Sequence, residues 1–249
     1  MPIITWVVVF SLLGSLGVVL GAGLLLLSKE EKRRRWLPSL VSYAVGTLLG
    51  AAFLGMLPRA LEAGHRRAVL STTLFGIVLF FVLEKWVLWR HCHQAECDIH
   101  SSAGSLILAG DAFHNFVDGF AIAAAFLVSV PLGISASLAV IAHEIPQELG
   151  DFAILLESGY GRSRALFLNL LSSATTLPGA LIAYFALSAV ARIVPYVLAI
   201  SAASFIYIAA ADLIPGLHRE ISPRSGFRQM TLLLAGIATI LLMQMAGTS

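Results

Sequence analysis

Apolar residues along this chain run in eight long stretches, at residues 3–27, 39–57, 68–89, 103–128, 132–156, 165–189, 194–214 and 229–247. Each is close to the roughly 20 residues that an α-helix needs to cross the hydrocarbon of a bilayer. A transmembrane barrel would instead show alternating strands of about ten residues. The connecting segments are short. The pattern therefore predicts an all-α, polytopic membrane protein with eight transmembrane helices and one transmembrane domain over residues 1–249. The stretch from Ile3 to Leu27 has no basic segment before it and reads as the first span, not as a cleaved leader.

Composition agrees. Hydrophobic residues make up 58% of the chain and charged residues 12%, against about 25% charged in soluble domains. A soluble globule needs a polar shell that this chain does not have, and disorder is excluded by the same apolar content. The net charge of +2 is too small for a phosphate-tracking stripe, so no nucleic acid is expected as a partner; the bilayer is. Twelve of the sixteen basic residues fall on one side of the predicted topology: Lys29, Lys32, Arg33, Arg34, Arg35, Lys85, Arg90, Arg162, Arg164, Arg219, Arg224 and Arg228. Arg59, Arg66, Arg67 and Arg192 fall on the other. Basic loops stay in the cytoplasm, which puts both termini on the extracytoplasmic side. The two cysteines, Cys92 and Cys97, make no disulfide scaffold. With His91, His93 and His100 they occupy a predicted cytoplasmic loop, 90–102, that reads either as a receiving site for metal or as a solvated linker.

The fourth and fifth stretches hold side chains that lipid does not tolerate. Asp111, His114, Asn115 and Asp118 lie in one, and His143, Glu144, Gln147, Glu148 and Asp151 in the other. Both clusters are near the middle of their spans. A charge there costs about 2.5–3.5 kcal/mol even on the most lenient insertion scale, so five carboxylates amount to on the order of 15 kcal/mol. No Lys or Arg occurs between Arg90 and Arg162 to offset them. Protons or a bound cation must do so. Two imidazoles in the same cluster favour a cation, because neutral His is a metal ligand and adds nothing as a counter-ion. Asp111, His114 and Asp118 share one helical face. His143 with Gln147, and Glu144 with Glu148, are each four residues apart. Imidazole, carboxylate and amide groups without thiolate suit zinc, iron(II), manganese or cobalt better than copper(I).

Other features frame this cluster. Pro146 lies within it and frees the carbonyl of Ala142. Asn169, Ser172, Ser173 and Thr176 form one polar face in the sixth span, either lining a path or bonding to neighbouring helices, and Pro178-Gly179 is expected to bend that span. Gly17 with Gly21, and Gly46 with Gly50, have the spacing of close helix contacts. Met56 reads as core filler, and Asp212 lies near the cytoplasmic end of the seventh span.

These residues together resemble a known family. His114-Asn115-Phe116-Val117-Asp118-Gly119 is similar to the HNxxDG motif in the fourth helix of the ZIP (Zrt/Irt-like) divalent metal transporters. HEIPQELGD, from His143 through Asp151, resembles that family's fifth-helix signature HEIPHELGD, and YIAAADLIPGL from Tyr207 is similar to its seventh helix. The resemblance implies a binuclear metal site between the fourth and fifth helices and import of metal into the cytoplasm by alternating access, in a multi-pass protein of the cell membrane. Its ligand candidates here are His114, Asn115, Asp118, His143, Glu144 and Gln147, with Glu148 retained beside them. Asp111 and Asp151 are candidates either as ligands or as groups that orient a ligand. Gln147 departs from the signature, which has His there. A neutral amide should hold zinc less tightly and admit manganese or iron(II) more readily. Zinc is the first candidate cargo, with iron(II), manganese, cobalt and cadmium after it, and a homodimer is kept open. The competing reading is an intramembrane metal-dependent hydrolase of the HExxH kind, which lacks its second His here.

The topology is testable by labelling. With Cys92 and Cys97 replaced by Ser, Glu31→Cys should be protected from an impermeant thiol reagent in intact cells, and Thr248→Cys should be labelled. The reverse pattern would invert the orientation.

Overall fold

The computed structural model describes residues 1–26, 30–92, 99–218 and 222–246, and within them the side chains of all but residues 24–26, 30–35, 86–92, 99–106, 157 and 246. Among the described residues there is no strand. In chain order the long helices are α1 (Ile3–Gly23), α2 (Trp36–Ala63), α3 (Arg66–Lys85), α4 (Ile107–Val128), α5 (Val130–Glu157), α6 (Arg162–Ala189), α7 (Ala191–Leu217) and α8 (Pro223–Met245). Seven are long and apolar enough to cross a membrane. The exception is α5, which is long enough but not apolar enough. The expectation of eight apolar spans is thus met by seven. The physical reason is that His143, Glu144, Gln147, Glu148 and Asp151 occupy positions where the other helices carry aliphatic side chains. Of the loop cluster, His93 and Cys97 lie outside the described residues, and the side chains of His91, Cys92 and His100 lie outside the described side chains.

Helix α5 does without an apolar surface because other helices surround it. It packs against α1, α2, α4, α6 and α8. Helix α4 lies on α5 and on the second half of α6, α2 on α8, and α3 on α7. Exchanging α1, α2, α3 and α4 for α6, α7, α8 and α5 leaves these main pairings unchanged. The two polar helices therefore sit at the centre of an arrangement whose halves are alike, which the sequence did not reveal as a repeat. The exchange is imperfect at α8, where Gln244 donates to the Ser135 hydroxyl of α5 at 3.0 Å.

Backbone contacts fix the seams. A Cβ on Gly119 of α4 would lie 2.2 Å from the carbonyl oxygen of Thr176, and one on Gly179 of α6 would lie 2.3 Å from that of Phe116. The two helices therefore touch backbone to backbone, the arrangement small residues permit between membrane helices. Gly46 and Gly50 likewise face α8, at Leu233 and Ile240, whereas Gly17 and Gly21 meet no neighbouring helix closely. Of the two glycine pairs, only the second is a packing seam.

Proline shapes the rest. Helix α6 is interrupted at Ala174–Thr175, between segments ending at Ser173 and starting at Thr176. The expected bend at Pro178 therefore falls four residues earlier, because the ring of a proline clashes with the carbonyl one turn before it. The same clash does not break α5, which continues through Pro146. In α2 and α7 the helix widens instead into a π turn, at Ala51–Met56 ahead of Pro58 and at Ile208–Leu213 ahead of Pro215. A wider turn absorbs the lost hydrogen bond without ending the helix.

The seam between α4 and α6 predicts a sign reversal. Gly→Ala within a helix ordinarily stabilises by about 0.5–1 kcal/mol, and Gly110→Ala, with nothing within 4 Å of the added carbon, should do so or be neutral. Gly119→Ala should destabilise by about 1–3 kcal/mol through overpacking. Thermal unfolding of the purified variants in detergent decides between the two signs.

Candidate metal centre

Helices α4 and α5 bring the sequence-predicted residues to one place. His114 and Asp118 lie one turn apart on α4, and His143 and Glu144 are adjacent on α5. One ligand atom from each of these four residues lies within 4.8 Å of every other. The His114 Nε2 is 3.1 Å from the His143 Nε2 and 3.4 Å from Glu144 Oε1. The His143 Nε2 is 3.3 Å from Asp118 Oδ2 and 3.5 Å from Glu144 Oε1, and the His114 Nε2 is 3.7 Å from Asp118 Oδ2. Ligands about 2.0–2.1 Å from a tetrahedral zinc ion are separated by about 3.3 Å. The four groups already stand close to such a tetrahedron.

The backbone contact of His143 fits as well. His143 Nδ1 lies 2.9 Å from the carbonyl oxygen of Ala139, one turn back on α5. A neutral ring that donates its Nδ1–H there turns an unprotonated Nε2 toward the cluster, the orientation a metal ligand needs. Asp118, His143 and Glu144 are buried, while the side chain of His114 keeps 22% exposure. The cradle is thus approached from the side of His114. Phe205 of α7 closes it behind His143, with ring centres 6.2 Å apart. Both oxygens of Asp118 and both of Glu144 are buried without a hydrogen-bond partner. Buried carboxylates in that state demand a compensating positive charge.

The remaining candidates divide. The amide of Asn115 is hydrogen-bonded to other residues. Its Nδ2 donates to Asp111 Oδ1 at 3.0 Å and to the Asp111 carbonyl at 3.2 Å, and its Oδ1 accepts from the Thr176 hydroxyl at 3.0 Å. The amide of Gln147 donates to the same Asp111 Oδ1 at 3.0 Å. Asp111, Glu144 and Glu148 form a second group whose oxygens lie within 4.8 Å of one another. Asp151 is half-buried one turn beyond Gln147. Two of the four residues on the polar face of α6, Asn169 and Thr176, bond to neighbouring helices. Asn169 donates to the carbonyl of Glu148 at 3.2 Å, Thr176 reaches Asn115, and the Thr175 hydroxyl at the helix break lies 2.6 Å from the Ala112 carbonyl. Asp212 is exposed in the π turn of α7, and nearby Tyr207 donates to the Glu84 carboxylate. Glu84 went unnoticed in the sequence because it sits at the end of a span, where a charge is ordinary.

The geometry predicts an order of binding strengths. Asp118→Asn keeps the side-chain shape but removes one of the cradle's two carboxylate charges, and should weaken zinc binding by well over about tenfold. Thr176→Val removes a support of Asn115 and should cost less, about tenfold. Calorimetric titration of zinc into protein held in nanodiscs ranks them. Wild-type affinity in Asp118→Asn would mean that this carboxylate does not face the ion.

Comparison with known proteins points in one direction. The family described as ZIP Zinc transporter matches residues 89–244. The chain is 35% identical to zinc transporter ZIP13 of Pongo abelii, over 96% of this chain and 78% of that protein. It is 31% identical to the zinc transporter ZIP13 homolog of Drosophila melanogaster, over 95% of this chain and 89% of the relative. The corresponding figures for zinc transporter ZIP13 of Mus musculus are 31%, 97% and 81%.

Proposed function

The chain belongs to the ZIP zinc transporter family, and from that premise we propose that it carries divalent metal, zinc foremost, into the cytoplasm through the cradle of His114, Asp118, His143 and Glu144. The observation that carries this reading is the meeting of two imidazoles and two unpartnered carboxylates halfway along two enclosed helices that contain no Lys or Arg. Such a cradle is stable only when a cation, or protons in its place, offsets the buried charge. Two ligands come from α4 and two from α5, so a relative shift of the two helices opens the tetrahedron and frees the ion. Iron(II), manganese, cobalt and cadmium are accommodated by the same donors and are secondary cargoes.

Eight crossings follow from α5. Its 28 residues span about 42 Å, enough to cross, and its enclosure supplies what its own composition lacks. An even number of crossings puts both termini on one side, and the basic residues assign that side as extracytoplasmic. The cell membrane as its location is carried over from the family resemblance. The hydrolase reading has no support beside this one. The relatives are named zinc transporters, and Gln147, in place of the second His of HExxH, spends its amide on Asp111.

Flux tests the proposal. His143→Ala and Asp118→Ala, reconstituted at equal density in sealed liposomes, should lower zinc uptake to the level of protein-free vesicles. Near-normal uptake in both would overturn the assignment of the cradle.

A further inference from the structure

Side-chain hydrogen bonds between helices sort the bundle. Tyr43 of α2 donates to the Thr239 hydroxyl of α8 at 3.1 Å, Gln229 of α8 to the Leu217 carbonyl of α7 at 3.5 Å, and Tyr207 of α7 to Glu84 of α3. These bonds join α2, α3, α7 and α8. A second set joins α4, α5 and α6: Gln147 reaches Asp111, Asn169 the carbonyl of Glu148, Thr176 the amide oxygen of Asn115, and Thr175 the carbonyl of Ala112. Among the described side chains one hydrogen bond crosses between the sets. It runs from the Gln244 amide of α8 to the Ser135 hydroxyl of α5, at 3.0 Å.

The surroundings of that bond are specific. Ser135 is fully buried, and its hydroxyl is used twice, accepting from Gln244 and donating to the Pro131 carbonyl at 2.8 Å. Gly55, in the π turn of α2, leaves room for the reach. A Cβ there would lie 2.9 Å from Leu132 of α5 and 3.2 Å from the Gln244 amide nitrogen. Around the bond the bundle is closed: Leu132, Ala136, Ala139 and Val140 of α5 are buried, as is α4 from Ala121 to Phe126. The cradle is thus sealed toward Ser129, where α4 and α5 connect, and its partly exposed member, His114, is the α4 residue farther from Ser129. The Ser129 side is extracytoplasmic in the topology proposed above. Access from there requires the two sets to part, and the Gln244–Ser135 bond holds them together.

We propose that Gln244 and Ser135 form a latch that keeps the extracytoplasmic side of the cradle closed and opens to admit the ion. The proposal rests on the cradle assigned above as the transport site. A bond of this kind suits reversible closure. In the closed bundle an amide or hydroxyl that loses its partner has no water to replace it, so the bond favours closure. Once the seam opens, water solvates both groups and the preference is gone. A polar contact between membrane helices shifts an equilibrium by roughly three- to twentyfold, enough to bias the closed state and weak enough to release in each cycle.

Two measurements test the latch, both on protein with Cys92 and Cys97 replaced by Ser. The first is the rate at which a charged thiol reagent modifies Ala136→Cys in nanodiscs. Gln244→Leu and Ser135→Ala should each speed it by roughly three- to twentyfold, and both together no more than either alone, because they remove the same bond. Thr239→Val, which removes a bond of α8 inside its own set, should leave the rate unchanged. The second is zinc uptake into liposomes by protein carrying Ser135→Cys and Gln244→Cys. Joining the two thiols with a short, cleavable bifunctional reagent should stop uptake, and cleaving the link should restore it. A labelling rate unchanged by Gln244→Leu and Ser135→Ala would overturn the latch, and so would full uptake by the joined protein. If the single variants do not fold, the joined protein decides. Failure of the cradle would show separately, as normal zinc uptake by His143→Ala.

Discussion

Among the described residues no lysine or arginine pairs with the carboxylates of α4 and α5, and most of the architecture answers to that constraint. A helix carrying Glu144, Glu148 and Asp151 cannot face lipid, so five other helices enclose it. Once enclosed, those groups lose the water that would have hydrated them, and the affinity for metal rises for the same reason that the apo state is costly. Binding energy and folding energy are in this sense one quantity, as in other sites where the ligands meet only in the folded chain. The cost is tolerable because the surrounding packing is tight. The backbone contact between Gly119 and Gly179 holds α4 against α6, and the buried polar face of α6 is tied to the amide and carbonyl groups of its neighbours.

The position of Gly119 shows how closely scaffold and site are linked. It directly follows Asp118, so the residue that lets α6 approach is adjacent to one of the cradle's carboxylates. A larger residue at 119 would push away the helix that supplies Thr176, and through Thr176 would disturb Asn115 and then Asp111. The motif from His114 to Gly119 therefore combines donor groups with a packing requirement, and the two cannot be varied independently.

Much of this was legible in the sequence. Apolar stretches gave seven of the eight expected spans, and charges in the middle of two stretches marked the candidate site, because lipid makes such charges costly wherever they occur. His114, Asp118, His143 and Glu144 do meet. What could not be read was the division of labour among the others. Asn115 and Gln147 have the helical spacing of ligands, yet their amides turn to Asp111, Asn115 from within α4 and Gln147 across from α5. The likeness of the two halves was invisible because it lies in which helices touch, not in which residues repeat. The break in α6 was displaced from its proline because the clash acts one turn upstream. That α5 falls short of a spanning helix by composition fits its enclosure by five other helices.

The π turns ahead of Pro58 and Pro215 bear on how the chain can tolerate changes of length. Each holds more residues than a regular turn, so the loss of one residue between positions 51 and 56, or between 208 and 213, can be absorbed by reverting to ordinary α-helix. Helix α5 has no such slack. A deletion between Glu144 and Glu148 would rotate everything beyond it by about 100° around the helix axis and carry Glu148 off the face it shares with Glu144. Single-residue deletions should therefore be tolerated in α2 and α7 at the very places where the helix is irregular, while the run from His143 to Asp151 keeps a fixed reading of length even where its side chains are exchanged.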